Sequence, residues 1–244
     1  MLLSERTLPA AISERLRRFT EEMPFERRSI LAFVSEVAER LPPGSRIVDV
    51  GAGSAPYREL FDHADYVTVD WAESQHEEAR SSDIIASAQA LPVSDESFDA
   101  VLMTQVLEHV PSPEGVLEEM HRVLRPGGSI NLTAPLVWEL HEQPHDYFRF
   151  TCYGLEALLA HAGFEAIEVR PRNDCFTTLA QLLSNAGWTM RRAEGLDERR
   201  RRIGESLEEL AGYIAEFAPL EVPYELPLGY AATATRPDAG SAPP

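Results

Sequence analysis

The sequence predicts an α/β protein, a parallel sheet covered by helices on both faces. Three observations carry that expectation. Short apolar runs alternate with segments of helical spacing between residues 46 and 170. The first run, Ile47-Val-Asp-Val50, enters a glycine turn, Gly51-Ala-Gly53. The second, Tyr66-Val-Thr-Val-Asp70, ends in a carboxylate at the distance where a nucleoside-binding fold places its ribose acceptor.

The elements follow in order. Residues 10–40 read as two helices: Ile12, Leu16 and Phe19, then Ile30, Phe33, Val34 and Val37, recur at helical spacing on either side of Pro24. Pro42-Pro43-Gly44 stops the second. A strand over 46–50 leads to a helix near 56–62, then a strand over 66–70. A looser stretch, 71–97, carries a short strand around 83–86. A strand at 99–104 precedes a helix at 113–123, and Arg125-Pro-Gly-Gly128 turns into a strand at 129–134. A helix over 153–161 ends at Gly163, before a strand at 164–170. The alternation then breaks: 178–190 and 197–217 read as helices, and 228–234 as a returning strand. The chain thus divides into an N-terminal helical cap (1–43), a cofactor-binding core (44–175), a helical insertion or lid (176–222), a final core strand (223–235) and a disordered tail (236–244).

Composition narrows the function classes. The formal net charge of −18 opposes nucleic-acid phosphates and anionic lipid surfaces. The basic run Glu198-Arg-Arg-Arg-Arg202 sits among acidic residues and reads as a solvated helix face. Cys152 and Cys175 form neither a Cys-x-x-Cys motif nor a disulfide framework, which fits reduced thiols in a cytoplasm. The N-terminus is neither a signal peptide nor an anchor, and no apolar stretch approaches the roughly 18 residues that span a bilayer.

The glycine turn identifies the cofactor class. A dinucleotide site wants a third glycine to seat the helix, and Pro56 stands there instead. An adenosine cofactor without a pyrophosphate fits better. An NAD-dependent oxidoreductase remains an alternative, as does a catalytically inactive binding or interaction domain.

The run Ala90-Leu-Pro-Val-Ser-Asp-Glu-Ser-Phe-Asp-Ala-Val-Leu-Met-Thr-Gln-Val-Leu-Glu-His-Val110, with Arg122-Val-Leu-Arg-Pro-Gly-Gly128, resembles the class I S-adenosylmethionine-dependent methyltransferases. It is most similar to the small-molecule branch with LPF-x-D-x-SFD, LEHV and RVLRPGG motifs. The resemblance covers roughly residues 44–170. It implies a Rossmann-like, seven-stranded, mostly parallel sheet whose last strand is antiparallel. It implies S-adenosyl-L-methionine as cofactor, with Gly51 and Gly53 beside its amino acid part. Asp49 would hold the turn or the cofactor ammonium. Asp70 would bind the ribose hydroxyls, and Trp71 would pack on adenine. Ser87-Ala88 stands where the family often has Asp-Ala, a departure that leaves the adenine contact to the serine hydroxyl or backbone. Thr104 and Gln105 would face the sulfonium. Glu108-His109 would belong to the scaffold.

The segment His141-Glu-Gln-Pro-His-Asp-Tyr-Phe-Arg-Phe-Thr151 follows the fifth strand, on the side where parallel sheets place their ligands. The resembling branch, common in secondary-metabolite and surface-glycan pathways, often carries a similar HE-x-PHDY-x-RFT phrase. His141, His145 and Tyr147 are the candidates for a base near the acceptor, since an imidazole is well matched to proton transfer at neutral pH. No metal site is expected: His141 and His145 have helical spacing, but Pro144 argues against a helix there. The expected partner is a small-molecule methyl acceptor, without nucleic acid or membrane. The added helices form a lid, a substrate wall or a homodimer interface.

Overall fold

The computed structural model describes residues 12–74, 77–192, 195, 197–216 and 226–238. Its centre is a seven-stranded sheet in the order β3-β2-β1-β4-β5-β7-β6. The strands are β1 (Arg46–Val50), β2 (Asp65–Asp70), β3 (Ile84–Ile85), β4 (Phe98–Thr104), β5 (Leu124–Pro135), β6 (Glu165–Pro171) and β7 (Gly229–Thr235). The first five are parallel, and β7 runs antiparallel between β5 and β6. The expected mixed, Rossmann-like sheet with its reversed last strand is therefore present.

Six α-helices accompany it among the described residues: α1 (Glu14–Glu22), α2 (Pro24–Arg40), α3 (Pro113–Val123), α4 (Cys152–His161), α5 (Cys175–Arg192) and α6 (Glu198–Glu216). Local chemistry sets their ends. Ser13, Ser112 and Thr151 cap α1, α3 and α4 by accepting from backbone N–H groups in the first turn. Pro24 and Pro113 occupy first-turn positions, where a missing N–H costs nothing. The expected helix near 56–62 is only a 3-10 turn, Arg58–Phe61. Ala55 just before it has φ +48, outside helical space, so the chain cannot enter a longer helix there. The expected extremities 1–11, 217–225 and 239–244 lie outside the described residues.

Strand alternation divides the core. Val48, Val50, Val101, Met103, Ile130 and Leu132 point to the α3 and α4 side. Ile47, Ala100 and Leu102 point to the other, against Ile30, Leu31, Phe33, Val34 and Val37 of α2. Burial of the larger of these side chains, Val, Leu, Ile, Phe and Met, contributes about 1.5–3 kcal/mol each before entropy is counted. Strand order reverses between β1 and β4, so their carboxyl ends splay the following loops apart. No helix among the described residues is long and apolar enough to cross a membrane.

Candidate active site

A cavity of about 460 Å³ opens at that reversal. Its floor is the turn after β1, including Gly51, Gly53 and Pro56, with Thr104 and Gln105 from the end of β4. Its far wall is the 135–151 loop, through Trp138, His141 and Glu142, with His109 beside them. Phe19, Glu22, Glu26 and Arg27 of the N-terminal helices close the remaining side. Among the described residues, none of its lining belongs to α5 or α6. A cavity this size suits a small ligand. Four glutamates line it; Glu22 is paired with Arg27 and Glu26 with Arg172, and Glu78 and Glu142 leave a modest negative balance that favours a cation.

The glycines have different duties. At Gly51, φ is +72, and an added Cβ would stand 2.4 Å from Val106 Cγ2. Its bare backbone therefore makes room for Val106 as well as for the cavity. At Gly53, φ is +54, and its N–H donates to Asp70 Oδ2 at 2.7 Å. Asp70 also accepts from the Trp71 N–H through Oδ1, at 2.8 Å. Each carboxylate oxygen keeps a second lone pair. The acid that closes β2 is thus fixed by the same turn that floors the cavity.

Asp49 does not line the cavity. It is buried under the turn, on the α2 side of β1, where Tyr66 Oη donates to Oδ2 and Oδ1 has no partner. Burial pushes its carboxyl up to about 7, opposed by the tyrosine hydrogen bond. Its hydrogen bond ties β1 to β2. Thr104 and Gln105 do line the cavity. Gln105 has φ +56, a strained conformation for a residue with a Cβ. Bonds from its backbone N and its side-chain Nε2 to Thr133, both 3.0 Å, hold it there. Ser87 is exposed, its Oγ accepting from the Gln89 N–H at 3.3 Å, and Ala88 packs against the core. Neither lines the cavity.

The three candidate bases separate. His141 faces the cavity. His145 and Tyr147 do not line it; their side chains pair through His145 Nδ1 and Tyr147 Oη at 3.1 Å. The imidazole of His145 meets the edge of Trp71, with ring centroids 5.0 Å apart. The loop is braced by Asp146, whose carboxylate takes a two-pronged bond from Arg149 at 2.6 and 2.9 Å and the His141 N–H at 3.0 Å. Arg149 thereby holds the Asp146 carboxyl well below the usual range. Pro144 does exclude a helix, as expected, and the loop brings His141 to His109 instead, with ring centroids 4.6 Å apart.

Glu108 and Glu142 gain weight from the structure. Glu108 is fully buried with neither carboxylate oxygen hydrogen-bonded, and burial pushes it up to about 8. Its backbone carbonyl accepts from the Tyr147 N–H at 2.8 Å, tying the loop to the end of β4. Glu78, Trp138 and the α1–α2 wall were not individually marked by the sequence. Phe19 and Ile30 carried only a helical-spacing signal, which says nothing of which helix end meets the cavity.

A family model described as a methyltransferase domain matches residues 48–132, the glycine turn through β5. The chain is 33% identical over 168 residues to a demethylmenaquinone methyltransferase of Renibacterium salmoninarum, covering 60% of this chain and 68% of that protein. It is 27% identical over 159 residues to an arsenite methyltransferase of Halobacterium salinarum, covering 55% of this chain and only 41% of that one. In fold it is similar to a SAM-dependent methyltransferase of Archaeoglobus fulgidus, with TM-score 0.57, 14% identity and coverage of 90% and 99% of the two chains. It is equally similar to the [4+2]-cyclase SpnF, with TM-score 0.57, 23% identity and coverage of 87% and 82%. With 33% identity to a methyltransferase of which it covers 68%, and a domain match spanning the glycine turn, Asp70 and the end of β4, this chain belongs to the methyltransferase domain family.

Proposed function

We propose that the chain transfers a methyl group from S-adenosylmethionine to a small-molecule acceptor. The carrying observation is the cavity itself, floored by Gly51, Gly53, Thr104 and Gln105 and walled by His141. Bound S-adenosylmethionine supplies an activated methyl on a positive sulfur, open to in-line displacement by an acceptor nucleophile.

The chain's own residues have three tasks. The Gly53–Asp70 bond fixes the turn and the ribose acceptor together. The acidic rim suits a cationic ligand. The α1–α2 wall and Trp138 exclude water and hold the acceptor in line, the source of most of the rate gain in such a reaction. His141 is the side chain placed to take a proton from a hydroxyl acceptor. Relatives named for demethylmenaquinone, arsenite and sterol methylation favour a small acceptor over a macromolecule. The chain spans about two thirds of the first of these and under half of the others, so the acceptor is a matter of this proposal alone.

The oxidoreductase alternative has little support, since Pro56 lines the cavity where a dinucleotide fold needs glycine. A second reading, binding without methyl transfer, is favoured by Ser87, which stands in place of the family's usual acid and lies away from the cavity. Calorimetry with S-adenosylmethionine tests the cofactor. A product mass gain of one methyl, with release of S-adenosylhomocysteine, tests the transfer. Absence of cofactor binding by folded protein would refute the proposal; binding without product over a broad acceptor panel would favour the second reading.

A further inference from the structure

We propose that Glu108, His109 and His141 form a binding site for a divalent transition metal ion in the cavity wall. One carboxylate and two imidazoles offer ligand atoms that all lie within 4.8 Å of one another. His109 Nε2 is 3.9 Å from Glu108 Oε1 and 4.0 Å from Glu142 Oε2. This juxtaposition is the donor set of ions such as Zn²⁺ or Fe²⁺, which favour imidazole with carboxylate.

Two further observations point to a ligand. The first is Glu108: fully buried, with neither oxygen hydrogen-bonded, beside the two rings. An ionised carboxylate left so would be very costly, and a bound cation removes that cost. The second is the orientation of the imidazoles. His109 Nδ1 lies 2.6 Å from the His145 backbone carbonyl. His141 Nδ1 lies 3.2 Å from the Glu139 carbonyl and 3.4 Å from Asp146 Oδ2. A carbonyl can only accept, so each Nδ1 carries a proton, and in the neutral ring Nε2 is the nitrogen left to bind a metal. Metal-binding histidines are oriented in this way, by an oxygen acceptor on the remote ring nitrogen. Asp146, itself clamped by Arg149, makes that orientation rigid for His141.

The separation of the ligand atoms is wider than in a filled site. Bonds of about 2.0–2.1 Å place tetrahedral ligand atoms roughly 3.4 Å apart, so the triad would draw in by roughly an ångström. His141 sits on a loop, and loops adapt to such shifts more cheaply than sheet or helix. His109, His141 and Glu142 also line the cavity, so the open coordination positions face the space where an acceptor would enter. An oxygen donor, water or an acceptor hydroxyl, suits them. With Nε2 on the ion, His141 no longer takes a proton, so its part as a base belongs to the metal-free chain. The ion itself needs no methyl-transfer activity; only that last step rests on the proposed function.

The test is titration of chelator-treated protein with Co²⁺, followed by visible absorption, and with Zn²⁺ by calorimetry. We expect one equivalent per chain, Co²⁺ bands of a four- or five-coordinate site, and their displacement by Zn²⁺. His141→Asn, on the loop, and Glu108→Gln, nearly isosteric, should each weaken binding at least tenfold while circular dichroism stays that of the parent. Folded protein that gives no cobalt bands would overturn the proposal. So would stoichiometric binding unchanged in both variants, which would place the ion elsewhere. Parallel calorimetry with S-adenosylmethionine on metal-free protein reads the cofactor site separately, so failure of one leaves the other standing.

Discussion

The backbone N–H of Gly53 donates to the carboxylate of Asp70 at 2.7 Å, joining the turn after β1 to the last residue of β2. Two features separated by 17 residues in the sequence therefore act as one unit. Glycine at 53 allows the positive φ that aims its N–H at the acid, and the acid in turn holds the turn open.

Removal of the Asp70 charge should therefore weaken cofactor binding with little change of fold. Asp70→Asn keeps one acceptor oxygen for the turn but loses the charge that strengthens hydrogen bonds to a ribose diol. Bonds to a charged group are worth about 1.5–3 kcal/mol, so affinity for S-adenosylmethionine should fall about tenfold or more. Equilibrium dialysis checks it, with a thermal melt as the control on folding. An unchanged affinity would remove Asp70 from the site.

Asp49 gives a pH signature. Its carboxyl is raised from 3.8 to about 7 by burial, so the folded chain holds a proton that the unfolded chain releases. Its contribution to stability is full below the unfolded value and is lost as pH climbs towards 7. The shift amounts to about 4 kcal/mol across that window. Asp49→Asn mimics the neutral acid and should be more stable than the parent at pH 8 but not at pH 4. Urea unfolding of both proteins at each pH measures the difference, which cancels the other titrating groups. Parallel curves would mean that Asp49 is not buried as a neutral acid.

Most of the sheet was legible because its signals are local. Strand runs such as Ile47–Val50, the Pro24 break and the Gly51–Gly53 turn each declare themselves within a few residues. Asp70 was legible through spacing alone. The partition of His141 from His145 was not: the two are four apart and share one phrase. Only the approach of His109 from beyond β4, across 32 residues, draws His141 to the cavity side, while Trp71 meets His145 from the residue after β2. The approach of His141 to the Glu108-His109 pair was hidden for the same reason, since that pair read as scaffold. For Asp49 the neighbours in sequence left two roles open, holding the turn or the cofactor ammonium. Its burial depends on which face of β1 meets α2.

Arg172 anchors the cavity wall. Its fully buried guanidinium bonds Glu26 Oε1 at 2.7 Å and Ser29 Oγ at 3.0 Å, fastening α2 to the segment after β6. Arg172→Met would strand the Glu26 carboxylate without its cation. Loss of one partner of such a pair costs about 3–5 kcal/mol. Adding Glu26→Gln to that variant should restore a substantial part, because the stranded charge is gone. Denaturant unfolding of the two variants checks the coupling. Equal instability in the single and double variants would assign the cost to lost packing instead.

His141 and His145 should differ in kinetics. His141 lines the cavity beside His109, whereas His145 pairs with Tyr147 and packs edge-on to Trp71. With metal-free protein and an acceptor that supports turnover, His141→Ala should lower kcat by about a hundredfold or more, the usual range for removal of a proton-transfer group, with cofactor affinity nearly unchanged. His145→Ala should act in the opposite sense, raising the cofactor Kd through a loosened Trp71 and lowering kcat by less. Tyr147→Phe, which removes only the hydroxyl bonded to His145, should fall between the parent and His145→Ala. Single-turnover rates at saturating cofactor, paired with dialysis affinities, separate the two quantities. A large kcat loss confined to His145→Ala would move the base to the Trp71 side of the loop and leave His141 with no part in proton transfer.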